Sequence, residues 1–189
     1  MKRLVGALVL MAALAAGTVV AREVAQDPAK SAGPAIEDQI ANNPRPDAFV
    51  PYGAKAKVIK DAKVQFGKTM RIAVTAANPS QPWSVGLSVP LVKPVKKGDR
   101  LVLAFWARAE RTEGGVPGKL ANVQIQHAAE PYTGLFGKQF EVGPEWKMQQ
   151  VAGVADADYA AGALAASMHL GSAVQVIDLG PVFVLDLGQ

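Results

Sequence analysis

Residues 81–110 read QPWSVGLSVPLVKPVKKGDRLVLAFWARAE, and the reading of this stretch decides the fold. The large apolar residues Trp83, Val85, Leu87 and Val89 alternate with Ser84, Gly86 and Ser88, the period of a strand with one buried face. Leu101, Leu103, Phe105 and Ala107 repeat the pattern, and Arg100, Val102, Ala104, Trp106 and Arg108 fall on the opposite face. An indole flanked by guanidinium groups therefore points away from the expected core. Between the two runs, Pro94 and the sequence Lys96-Lys97-Gly98-Asp99 supply turn chemistry, with Gly98 free to take a positive φ.

Outward from this pair, similar short runs recur at 57–61, 69–75, 121–127, 135–142, 146–151, 163–170, 174–178 and 182–185, separated by turn residues. With 83–91 and 100–109 they make ten expected strands and no sustained helix, which predicts an all-β, two-sheet antiparallel sandwich. The Gly-rich stretch 113–118 lacks the Lys-Ser or Lys-Thr pair of a phosphate loop and reads as an exposed connection.

The start of the chain has a different character. Lys2-Arg3, an apolar run over 4–16 and the small-residue end Val19-Val20-Ala21 read as a signal peptide, residues 1–21, and imply an exported, periplasmic or secreted protein with no membrane partner after cleavage. A membrane anchor would need a longer uninterrupted apolar run. Residues 22–47, with Pro28, Pro34, Pro44 and Pro46, read as a flexible arm, apart from a turn or two of helix over 35–41. The folded domain is then 48–189. The chain has no cysteine, which removes disulfides, lipid attachment at a thiol and thiolate chemistry. Without residues 1–21 the basic side chains outnumber the acidic ones by only two, which argues against nucleic acid as a partner. Lys55, Lys57, Lys60, Lys63 and Lys68 read as a solvated edge that discourages pairing between molecules.

Taken in order, 83–91, Gly98-Asp99, 103–109 (LAFWARA), Pro131-Tyr132, Glu145-Trp146-Lys147, His169-Leu170-Gly171 and Val176-Ile177-Asp178 resemble the carbohydrate-binding modules of families 4 and 9, especially those attached to family 10 xylanases. The resemblance covers about 58–188 and implies a galactose-binding-like jelly roll. It implies a sugar-stacking role for Tyr132, a polar sugar contact at His169 and a possible structural calcium at Asp178. The N-terminal calcium segment of the family is rearranged here around Asn42, Asn43, Asp47 and Phe49, and its second C-terminal acidic position is Leu179. One matched carboxylate falls short of the six to eight oxygen ligands calcium takes, so no cofactor is expected.

Sugars are bound by aromatic platforms and fixed hydrogen-bonding groups. On the run 121–127, Asn122, Gln124 and Gln126 form a polar row behind the apolar Val123 and Ile125, and His127 falls inward as a core histidine. The candidate groove has Asn122, Gln124 and Gln126 on its floor, His169 beside them and Tyr132 at its edge; Trp106 and Arg108 join only if their strand shares that sheet. Trp83 and Trp146, on apolar faces, are expected in the core. A glycosidase needs two carboxylates roughly 5–10 Å apart across a cleft, and Glu130, Glu141, Glu145, Asp156 and Asp158 offer no such pair on one strand face. Neither histidine follows a serine-nucleophile motif. The expected function is therefore non-catalytic binding of a polysaccharide or oligosaccharide; the alternatives are an adhesive sandwich with a protein partner, or a glycoside hydrolase. Nothing in the sequence sets an oligomeric state.

Overall fold

The alternating runs fold as two five-stranded antiparallel sheets packed face to face. The computed structural model describes residues 35–189; the expected signal peptide and residues 22–34 of the arm lie outside the described residues. The strands are β1 (Val50–Tyr52), β2 (Lys55–Lys60), β3 (Lys68–Val74), β4 (Gly86–Pro90), β5 (Arg100–Thr112), β6 (Gly118–His127), β7 (Gly134–Val142), β8 (Lys147–Val154), β9 (Leu164–His169) and β10 (Gln175–Asp186). One sheet has the order β1-β4-β9-β6-β7, the other β2-β3-β10-β5-β8. From β3 onward the chain crosses repeatedly between sheets, the jelly-roll sandwich expected.

The apolar face of each strand turns inward. Leu87 and Val89 of β4, Val123 and Ile125 of β6 and Met168 of β9 pack against Ile72 of β3, Leu103 and Phe105 of β5 and Val182 and Val184 of β10, all between 0 and 1% exposed. Phe105 meets Phe140 of β7 edge-on, with ring centroids 5.2 Å apart, and so ties the sheets together. The turn at Gly98 forms as its sequence predicts. Gly98 has φ of 91°, the Asp99 amide donates to the Lys96 carbonyl, and the Lys96 amide donates to Asp99 Oδ2 at 2.7 Å.

Three local expectations change. The runs 174–178 and 182–185 are one strand, β10, because Gly180-Pro181 sits at a register shift between Leu179 and Val182 where proline costs no ladder bond. The run beginning at Trp83 becomes a strand only at Gly86: Pro82–Ser84 is a 3₁₀ turn, closed by the Ser84 amide on the Gln81 carbonyl, and Trp83 leaves the core to stand 55% exposed. Residues 40–47, expected as the end of the arm, are tied to the sandwich together with Phe49. Ala41 and Phe49 are buried, Asn42 Nδ2 donates to the Val182 carbonyl at 2.8 Å, and Asn42 Oδ1 accepts from the Val184 amide at 2.7 Å. Ile36–Gln39 forms the short helix anticipated before them.

Candidate functional site

Cross-strand register brings the expected polar residues of β6 and β9 together on the outward face of the β1-β4-β9-β6-β7 sheet. Three rungs cross it. Tyr52, Gly86, His169 and Asn122 stand opposite one another in turn; so do Ser88, Ser167, Gln124 and Gly137; and so do Pro90, Ala165, Gln126 and Gly134. Long amides on β6 are thus flanked by serine, alanine and glycine, and the difference in side-chain length hollows the sheet face into a cleft of about 730 Å³.

The floor is held by a chain of amides. Asn122 Nδ2 donates to Gln124 Oε1 at 2.7 Å, and Gln124 Nε2 donates to Gln126 Oε1 at 2.6 Å. Both glutamines are nearly buried, at 9% exposure each. The neighbouring strand makes room for them. A Cβ at Gly134 would lie 2.6 Å from Gln124 Oε1, and one at Gly137 would lie 2.6 Å from the Gln124 Cβ and 2.7 Å from Asn122 Oδ1. Asn122 supports Gln124 from behind rather than lining the cleft itself.

Aromatic rings wall the cleft. Trp83 rises from the 3₁₀ turn before β4 and Tyr132 from the β6–β7 connection, each about half exposed, and Pro131 lies beside Tyr132. Tyr132 sits at φ 56°, a left-handed conformation that is costly for a bulky residue. It is held there by its own amide donating to the Ala129 carbonyl and by the His127 amide donating to the Thr133 carbonyl. Tyr52 lies across the backbone of Gly86, where any side chain would collide with its phenol.

Two polar groups complete the lining. His169 is half-buried, and burial pushes its pKa below the usual 6.5, so at neutral pH the imidazole is uncharged and offers one donor and one acceptor. Burial pushes the Tyr52 phenol up, while the neighbouring Ser167 hydroxyl pulls the other way. That contact falls short of hydrogen-bond geometry, so the fully buried Ser167 Oγ has no partner. The Ser167 Oγ has no accessible surface, so it lies beneath the lining, next to the Tyr52 phenol, and is not a free contact point. Among the described residues no Asp, Glu, Lys or Arg lines the cleft.

Trp106 and Arg108 are elsewhere. Their strand, β5, belongs to the opposite sheet, so they cannot join the groove. Trp106 packs edge-on to Phe183, with centroids 6.2 Å apart, which accounts for an indole on that face. Arg108 donates to Asp178 Oδ2 at 3.0 Å, pairs with Glu110 at 3.0 Å and lies over the Trp146 ring at 5.3 Å. Trp146, expected in the core, is half-buried on the surface, its Nε1 donating to Asp61 at 3.2 Å. His127 is also only half-buried, edge-on to Tyr159 at 5.4 Å, because β6 ends there and the core has thinned.

Asp178, the residue matched to a calcium ligand, does not fit that role. It is fully buried, and its two oxygens accept from Arg71 Nε at 2.7 Å, Arg71 Nη2 at 2.8 Å and Arg108 Nε at 3.0 Å. The guanidinium groups already supply both the positive charge and the donors that a cation would replace. Among the described residues no group of three or more histidine, aspartate or glutamate side chains could hold a metal ion.

Trp83, Tyr52, Ser88 and Ser167 are the cleft residues that pattern reading missed. Only Trp83 carried a signal: the preceding Pro82 cannot donate within a sheet and marks the turn.

No protein-family model matches the chain, and no curated protein matches it in sequence. Solved structures do match. One described as a family 4 carbohydrate-binding module superposes with a TM-score of 0.58 at 15% identity, over 75% of this chain and 96% of the other. The chain shares their fold. The second N-terminal cellulose-binding domain of Cellulomonas fimi β-1,4-glucanase C gives 0.56 at 17% identity, over 80% and 95%. The CBM22-1 xylan-binding domain of Paenibacillus barcinonensis Xyn10C gives 0.54 at 13% identity, over 80% and 93%.

Proposed function

We propose that the protein is an exported, non-catalytic carbohydrate-binding module whose cleft takes an uncharged polysaccharide or oligosaccharide. The observation that carries this reading is the convergence, on one sheet face, of two half-exposed rings with a row of hydrogen-bonded amides and no ionised side chain. Trp83 and Tyr132 offer flat apolar surfaces for the sugar-ring faces. Gln126 and His169 offer fixed donors and acceptors for hydroxyl groups. Similarity of fold to cellulose- and xylan-binding domains supports the ligand class, and the apolar run near the N-terminus supports export. None of Glu130, Glu141, Glu145, Asp156 and Asp158 lines the cleft, which supports binding without hydrolysis.

Titration calorimetry of the purified protein against soluble β-glucan, xylan and mannan tests the reading. Saturable binding to at least one, weakened by Tyr132→Ala, is the expected result; no heat with any of them, or an affinity indifferent to both Tyr132→Ala and Trp83→Ala, overturns it. Reducing-sugar release abolished by changing one glutamate would overturn the non-catalytic part.

A further inference from the structure

The other sheet carries a second depression, of about 530 Å³, whose chemistry is the opposite of the cleft's. Its position follows from register. Lys57, Arg71, Asp178 and Arg108 form one row across β2, β3, β10 and β5, and Lys55, Ala73, Val176 and Arg111 form the next. Ala73 and Val176 make a low apolar floor, with lysines on one bank and Arg111 on the other. Arg111 reaches this face because the β5–β10 register shifts between Val176 and Ile177, so that Ala109 pairs with Ile177, Arg111 with Val176, and Glu110 is the extra residue of a bulge.

The charges divide into two sets. Arg71 and Arg108 are spoken for by Asp178 and by Glu110, at 3.1 and 3.0 Å. Lys55, Lys57 and Arg111 make no ion pair among the described residues, although they face one another across the depression. Protection of the β2 edge accounts for lysines on β2 but not for an arginine brought over the same floor from β5. The lysines stand two residues apart, about 7 Å along the strand, and β2 to β5 spans three strand intervals, about 14 Å. Unpaired cations so spaced suit an extended chain bearing repeated anions better than one small ion.

We propose that this face binds an acidic polysaccharide, with carboxylates of the chain between Lys55, Lys57 and Arg111. Among the described residues no aromatic ring lines the depression, whereas single-stranded nucleic acid depends on base stacking. Nor does a protruding apolar side chain line it, as insertion into a membrane surface requires. Glu110 is the internal competitor, its carboxylate sitting on the guanidinium groups that an incoming uronate would also seek. The proposal stands independently of the neutral cleft on the other sheet.

Affinity electrophoresis of the full chain in gels containing polygalacturonate, at about 0.05 M salt where screening is weak, tests it. Retardation should fall on the order of tenfold in K57E/R111E, rise in Glu110→Gln, stay unchanged in Glu141→Gln, which removes the same charge from the opposite sheet, and vanish with the fully methyl-esterified polymer. Tyr132→Ala should leave it intact, which separates this site from the cleft. Absence of retardation, equal retardation of K57E/R111E, or a gain in Glu141→Gln matching that in Glu110→Gln overturns the proposal. Tighter binding to single-stranded DNA or to anionic phospholipid vesicles than to polygalacturonate also overturns it.

Discussion

The outward faces of the two sheets use similar residue types to opposite ends. On the β1-β4-β9-β6-β7 sheet, Trp83 and Tyr132 stand half exposed with their faces uncovered, and the polar groups beneath them are uncharged. On the β2-β3-β10-β5-β8 sheet, Trp106 is tucked edge-on to Phe183, Trp146 lies under Arg108, and Asp178 is saturated by two guanidinium groups. The comparison teaches that residue type does not make a ring a platform or a polar group a ligand contact. What matters is whether neighbours have already used the ring face and the donors. The amide row leaves groups unspent at its ends.

The contrast can be broken most severely at Asp178. Asp178→Ala removes a fully buried anion and leaves Arg71 and Arg108 short of partners, so urea denaturation should show a loss of about 3 kcal/mol, while affinity for a neutral glycan holds. A parallel fall in affinity would mean that the two faces are not independent. Next comes Tyr132→Ala, expected to cost about 1–3 kcal/mol of ligand affinity, the range for a lost stacking surface. Stability should change little, because the ring is half exposed and alanine keeps the Cβ that makes the left-handed backbone costly; Tyr132→Gly is the substitution that should raise it. Trp106→Ala is the counterpart of Tyr132→Ala on the other sheet and should leave calorimetric affinity unchanged.

Gly137→Ala sharpens the comparison at smaller scale. The added methyl would overlap Gln124, and overpacking of this kind costs about 1–3 kcal/mol; binding should weaken with it, because Gln124 must leave the row. The smallest effect concerns pH. His169 has a lowered pKa in the folded state, so as pH falls below about 6.5 the unfolded chain takes up the proton first. Its contribution to stability is therefore constant at neutral pH, declines through the interval between 6.5 and its lowered value, and levels off below. Comparing thermal midpoints of wild type and His169→Gln over this range should show a shallower decline in the variant.

The alternation of β4, β5 and β6 was enough to read the sandwich, and the row Asn122, Gln124, Gln126 was legible because a period of two separates it cleanly from Val123 and Ile125. Tyr132 and His169 came from family resemblance, and the fold brings them to that same row. What stayed hidden depended on pairing between distant strands. No local pattern tells that β5 and β6 lie in different sheets, which left the place of Trp106 and Arg108 conditional, or that Asp178 meets Arg71 from 107 positions away. Serine and glycine make a cleft by being small, and smallness has no signature until a larger neighbour is known. Trp83 was assigned to the core by extending the period of β4 three residues back from Gly86, into the turn that Pro82 opens.

The amide chain has one more consequence. Reversing any single amide of Asn122, Gln124 and Gln126 would set two carbonyls or two NH₂ groups against each other, so the three turn over together or not at all. The row thus has a head that accepts and a tail that donates. Of these two ends only the Gln126 amide reaches the cleft, because Asn122 lies behind Gln124, so the row fixes an NH₂ donor at that end of the floor.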